Sequence, residues 1–188
     1  MPIGQLVTLR AMGPEDAEVL WRWNHDPEVM HWMNDTYAQT LEQVRPWLTE
    51  RPRNTYADLL HGIEATSDGT LIGLVTLHDT APAKGIAELD IYLGEKAYWG
   101  RGYATDAVRR ICRYGFEDMR LHKVTLTVVT ENHAARGVRE GGLRRGGPPP
   151  PGLPPRRPVV RHVHDGPAGG RTALSALPEW PPCEPEHR

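Results

Sequence analysis

The chain has 188 residues, with 22 Lys and Arg against 24 Asp and Glu. That length suits one compact domain, and the near-neutral balance argues against nucleic acid or an anionic membrane as partner. Two cysteines, Cys112 and Cys183, exclude a disulfide framework, and no apolar stretch approaches the roughly 20 residues that cross a bilayer, so a cytoplasmic protein with a single site is expected.

In chain order, "LVTLRAM" alternates apolar and polar residues and predicts a first strand. "GPEDAEVLWRWN" predicts a helix with Pro14 in its first turn, Glu15 and Asp16 at the positive end of its dipole, and Ala17, Leu20, Trp21 and Asn24 on one face. A second helix is expected over "TLEQVRPWLTERPR", capped by Thr40 but carrying the helix-unfriendly Pro46. "ADLLHGIEAT", "TLIGLVTLHD" and "IAELDIYLG" follow as three strands joined by short loops, an antiparallel meander. "GYATDAVRRICRYGFEDMR" sets Ala104, Ala107, Val108, Ile111, Cys112, Gly115, Phe116 and Met119 on one helical stripe. "KVTLTVV" reads as a strand buried on both faces.

The segment "AELDIYLGEKAYWGRGYATDAVRR" carries the chemistry. A strand ends, a loop with Gly100 and Gly102 runs into the strongest helix, and backbone N–H groups converge where a phosphate binds. The glycines remove Cβ atoms that would block close approach, Arg101 adds a positive charge, and Thr105 offers a hydroxyl. The plain alternative is a turn with a glycine-capped helix start. His25 and His31 lack companions at ligand spacing, and no metal is assigned.

This segment, with "TENHAA" further on, resembles the GNAT N-acetyltransferase family, in particular the branch of ribosomal-protein alanine acetyltransferases. The resemblance covers roughly residues 5 to 135. It implies an α/β (α+β) fold with a mixed, mostly antiparallel central sheet flanked by helices. It implies acetyl-CoA as co-substrate, a primary amine as acceptor, and no nucleic acid, membrane or metal; a homodimer is an assembly open to such a chain. The family's signature, Gln or Arg, two residues, Gly, one residue, Gly or Ala, falls on Trp99, Gly102 and Ala104, and Trp99 departs from its first position. Cofactor contacts are thereby expected from Ile91, Tyr92, Leu93, Trp99, Gly100, Arg101, Gly102, Tyr103, Ala104, Thr105 and Asn132. The strand carrying "LDIYL" is expected to splay from the next parallel strand, freeing main-chain groups near Ile91, Tyr92 and Leu93. Glu88 is the candidate base and Asn132 the second candidate catalytic residue; their plain readings are an exposed strand carboxylate and a strand-end turn residue. The resemblance also places Trp21, Trp23, Trp32 and Met33 in the wall of the acceptor pocket, where core packing is the commoner fate.

The patterning breaks after Arg136. Gly and Pro make up 16 of the first 136 residues but 21 of the remaining 52, a share of roughly 40% typical of low complexity. Residues 137–188 are therefore expected to be a disordered tail lacking the family's C-terminal helix and strands. In place of the family's N-x-x-A-x-R-A-Y-E-K-x-G-F, whose Tyr commonly protonates the departing thiolate, stands "GVREGGL". Read one base out of frame, Gly137 to Arg144 is compatible with Ala-Tyr-Glu-Lys-Ala-Gly-Phe, and "LPPRRPVVRH" with Phe-Leu-Arg-Asp-Gly-Arg-Trp-Tyr-Asp, like a closing hairpin. From Gly137 to Arg171 every residue type has codons beginning with G or C, the mark of a GC-rich gene whose third bases have become first bases. This predicts a frameshift near Arg136, against which stands a natural Pro/Gly tail. The competing functional reading is a catalytically inactive remnant that still binds acyl-CoA.

Overall fold

The computed structural model describes residues 6–33, 39–50, 54–80, 85–129 and 132, and the backbone of two strands at 144–145 and 159–165. The elements are β1 (Val7–Ala11), α1 (Ala17–Asn24), α2 (Leu41–Glu50), β2 (Leu59–Ala65), β3 (Leu71–His78), β4 (Ile86–Leu93), α3 (Tyr103–Glu117), β5 (Lys123–Val129), β6 (Arg144–Arg145) and β7 (Val159–Asp165). The strands form one sheet in the order β1-β2-β3-β4-β5-β7-β6. All neighbours are antiparallel except β4 and β5, which run parallel with α3 as their crossover. The mixed, mostly antiparallel sheet with flanking helices is the expected fold.

Each face of the sheet carries its own core. Under α3, Val75, Leu77, Ala87, Leu89, Val124 and Leu126 pack against Ala107, Val108, Ile111 and Cys112, following the helical stripe. On the other face Leu60, Leu71 and Leu74 meet Ala17, Leu20 and Trp23 of α1 and Val44 and Leu48 of α2. In α1 it is Trp23 that is fully buried, whereas Trp21 is only half-buried. The cause is a close approach: a Cβ on Gly94, just past β4, would lie 2.0 Å from the Trp23 ring. Only glycine lets the strand end pass beneath that indole, and the methyl of Gly94→Ala would overpack the site.

Pro46 sits inside α2 without ending it. The helix starts on Thr40, whose N–H donates to Gln43 Oε1 at 2.8 Å and whose carbonyl accepts from Gln43 and Val44. Val44 and Leu48 hold the inner face while Pro46 lies on the exposed side. Beside the start of α1, Arg10 forks onto Asp16 at 2.8 Å through two nitrogens and reaches Glu64 at 2.9 Å. Burial pushes the Asp16 carboxyl up, but the Arg10 guanidinium and the Gly13 N–H outweigh it and hold it below its ordinary value.

The expectation that no strands follow Arg136 needs correction. Val159–Asp165 pairs with β5 along its whole length, from Lys123↔Asp165 to Val129↔Val159, and Arg144–Arg145 pairs with β7. The physical reason is that β5 would otherwise present an open row of N–H and C=O groups, and the β-branched Val159, Val160 and Val163 suit a strand on that edge. The rest of the segment from 137 onward lies outside the described residues.

Candidate active site

The parallel pair β4–β5 opens like a fork. Cα partners run Ile86↔Lys123, Ala87↔Val124 and Glu88↔Thr125 and then stop, whereas β3 continues to pair with β4 as far as Leu93. Residues 89–93 therefore have no β5 partner along their main-chain edge on that side. In open α/β sheets, ligands bind beyond the carboxyl ends of parallel strands where neighbours part.

That end is also where α3 begins. Gly100 and Gly102 have φ of 68° and 86°, the left-handed region that favours glycine, and Gly102 is the residue that precedes the helix. Asp106 N–H donates to the Gly102 carbonyl at 3.0 Å as the first helical bond, so the N–H groups of Tyr103 and Ala104 stand ahead of the intrahelical ladder at the helix start. Gly100, Arg101 and Gly102 are exposed, and a Cβ on Gly100 would meet nothing within 4 Å. The loop therefore lies open to solvent, as a phosphate cradle must. Asp106 Oδ2 accepts from Leu6 N–H at 3.0 Å and Val7 N–H at 3.1 Å, pinning the first turn of α3 onto the start of β1. Among polar contacts, Arg101 Nη1 donates to the Ala97 carbonyl at 3.2 Å and keeps its charge beside the loop.

Ile91 and Leu93 turn their side chains toward the α3-side core, leaving main chain in the fork. Tyr92 points to the other face, packs edge-on to Trp23 at 6.1 Å and donates its hydroxyl to Asn24 Oδ1 at 3.1 Å; burial pushes its phenol well up, so it stays protonated. The Trp99 side chain turns away from the glycine loop: its Nε1–H donates to the Leu93 carbonyl at 2.9 Å and the ring packs with the α1–α2 core. The indole thus fastens the end of β4, a role invisible in a signature that asks for Gln or Arg. Of the "TENHAA" segment only Asn132 is described; it follows β5 at the mouth of the fork, half-buried, with its N–H on the Val129 carbonyl at 3.0 Å.

Glu88 is the last β4 residue paired with β5, and its Oε1 accepts from the Thr127 hydroxyl at 3.3 Å. Its neighbour across β3 is His78, whose Nε2 and Nδ1 lie 2.9 Å from Asp90 and 3.1 Å from Asp79. Hydrogen bonding to Asp90, then the charges of Asp90 and Asp79, raise His78 from 6.5 to about 9. Its protonated form is favoured by the fold, so its stabilising contribution is whole below pH 6.5 and is lost as pH rises toward 9. In a proton NMR titration the His78 ring should therefore titrate near pH 9, and Asp90→Asn should bring its midpoint down toward 6.5; a midpoint near 6.5 in the parent would contradict the ion pairs. Sequence reading missed Thr127, His78 and Asp90.

An open groove of about 380 Å³ lies elsewhere, lined by Trp21, His25, Gln39, Thr40, Leu41 and Glu42. Trp21 is the lining residue shared with the expected acceptor wall. Cys112 is fully buried, which pushes its thiol up to about 12 and leaves it a packing residue. Among the described residues no group of three His, Cys, Asp or Glu is placed to hold a metal, and no helix is long and apolar enough to cross a membrane.

Comparison with known proteins gives a consistent picture. The family model described as acetyltransferase (GNAT) domain matches residues 7–141. The Bacillus subtilis (strain 168) protein named "Putative ribosomal N-acetyltransferase YdaF" is 30% identical over 150 residues, 73% of this chain and 77% of that protein. The spermidine N(1)-acetyltransferase of Escherichia coli (strain K12) is 29% identical, covering 72% of this chain and 70% of that one. Among solved structures, the spermidine N-acetyltransferase of Vibrio cholerae in complex with CoA and spermine superposes with a TM-score of 0.72 at 23% identity, over 85% of this chain and 95% of that one.

Proposed function

The chain belongs to the GNAT acetyltransferase family, and on that premise we propose that residues 1–136 bind acetyl-CoA and transfer its acetyl group to a primary amine, at a protein N-terminus or on a small molecule. The observation that carries this reading is the β4–β5 fork opening toward the exposed glycine loop of α3. Amide hydrogens between Gly100 and Thr105 hold the pyrophosphate, and the main chain at 91–93, on the side that lacks a β5 partner, holds the pantetheine arm, which brings the thioester to the fork beside Glu88.

An alkyl amine has a pKa of about 10 and reaches the site protonated at neutral pH. Glu88, directly or through water, accepts the ammonium proton, and the freed lone pair attacks the thioester carbonyl carbon. The new C–N bond forms as the C–S bond breaks, and the thiolate leaves with the electron pair; the nitrogen's second proton balances it as the thiol. Asn132 at the mouth of the fork is proposed to orient the co-substrate or a water.

A second reading is favoured by the change in composition after Arg136. The chain lacks the family's Tyr acid, so it is an acyl-CoA binder with little turnover, and the tail from 137 is a frameshift product. Residues Val159 to His162 of β7 belong to the stretch that the shifted frame reads as the closing hairpin. One experiment separates the readings: calorimetry with acetyl-CoA beside a thiol-release assay with a panel of amines, on the full chain and on the frame-restored chain. Turnover by both supports the enzyme; binding by both with turnover only after restoration supports the remnant. Absence of acetyl-CoA binding by either contradicts both.

A further inference from the structure

We infer that Thr127 is a positioning residue that holds the Glu88 carboxylate at the throat of the fork; this rests on the reading of Glu88 as the base. Backbone pairing of β4 and β5 ends at Glu88↔Thr125. Side chains alternate along a strand, so Thr125 and Thr127 share the Glu88 face while Val124, Leu126 and Val128 fill the core under α3. The two threonines have different duties. Thr125 is buried and its hydroxyl donates to the Ala87 carbonyl at 3.4 Å, closing the last paired rung. Thr127 stands two residues past the last paired rung, on the same face, and its hydroxyl crosses the gap to Glu88 Oε1 at 3.3 Å.

That contact bonds a β5 side chain to the proposed base. A β-branched side chain in a strand is stiff at χ1, so the hydroxyl is aimed at low entropic cost. The 3.3 Å separation is longer than the roughly 2.7–2.8 Å of a mature O–H···O bond, as expected of a catalytic contact that tightens once the site is filled. Fixing Oε1 leaves Oε2 outside this bond to meet the amine. Among the described residues, the charged groups near Glu88 are His78 from β3, Asp90 from β4 and Lys123 on the same face of β5, and the first is engaged by Asp90 and Asp79. Thr127 therefore sets which way the carboxylate faces, on the side opposite His78.

The test compares T127V and T127S in the full chain, frame-restored if the parent turns over too slowly to measure. T127V keeps shape and strand propensity but cannot donate; kcat should fall roughly tenfold, the worth of one hydrogen bond to a charged group. Acetyl-CoA affinity should stay within about twofold. T127S should return to within about threefold of the parent. A readout free of turnover is the carboxylate stretch of Glu88 in infrared difference spectra against E88Q, which should move in T127V and return in T127S. An unmoved stretch and an unchanged kcat in T127V would overturn the inference, as would a loss of acetyl-CoA affinity in step with kcat, the sign of mere packing at the fork. Full turnover in E88Q would instead sink the base reading itself, whatever Thr127 does.

Discussion

Glu88→Gln should lower kcat by roughly 10²–10⁴-fold, the usual worth of a positioned general base, while acetyl-CoA affinity stays within about twofold. The separation of effects follows from the layout. Glu88 sits where β4 and β5 part, whereas the amides proposed to hold the pyrophosphate lie beyond the open end of the fork, between Gly100 and Thr105. Glutamine keeps the side chain's shape and can still accept from the Thr127 hydroxyl, so the strand pairing and the fork are undisturbed. What it cannot do is take a proton from an ammonium. Turnover by E88Q should therefore climb with pH toward the amine's own pKa of about 10, about tenfold per pH unit, because solvent then does the work of the missing base. Steady-state thiol release across pH 6–10 reads both effects. Parent-like kcat at neutral pH in the variant would remove Glu88 from the mechanism.

How far the residues alone reveal such a site depends on how local its causes are. α3 is legible because eight small or apolar residues from Ala104 to Met119 recur on one face, and β5 because five of its seven residues are β-branched. The glycine loop is legible for the same reason: positive φ at two nearby positions selects glycine at both. Pro46 marks where local rules give way, since packing of Val44 and Leu48 sustains a helix that the proline disfavours. Trp23 rather than Trp21 fills the core because Gly94, some 70 residues later, makes room for it, a fact of tertiary approach. Thr127 could not be singled out without the β4–β5 register, which brings it to Glu88 across 39 positions of chain. The bond of the Trp99 indole to the Leu93 carbonyl could not be foreseen, because the family signature names a polar residue there and only the geometry brings the ring to the end of β4.

The second large effect is expected at the start of α3, where Gly102→Val should weaken acetyl-CoA binding at least about 100-fold with little loss of fold. Gly102 holds φ of 86° and is exposed; the nearest atom to an added Cβ is Leu6 Cδ1 at 3.6 Å, an ordinary contact. Crowding by the protein is thus not what selects glycine there. A β-branched residue at such φ costs about 1–2 kcal/mol, and an exposed loop relieves it by rotating to negative φ. That rotation turns the adjoining amide planes away from the axis of α3 and spoils about two charge-assisted hydrogen bonds to the pyrophosphate, each worth roughly 1.5–3 kcal/mol. Arg101→Ala makes the contrast, because a mobile exposed charge contributes through screened attraction: its loss should be several-fold and should shrink as salt is raised. Calorimetry on the two variants at low and high salt distinguishes main-chain capture from charge attraction. G102V binding as tightly as the parent would mean that the phosphates are held elsewhere, and the fork would then lose the anchor that aims an acetyl group at Glu88.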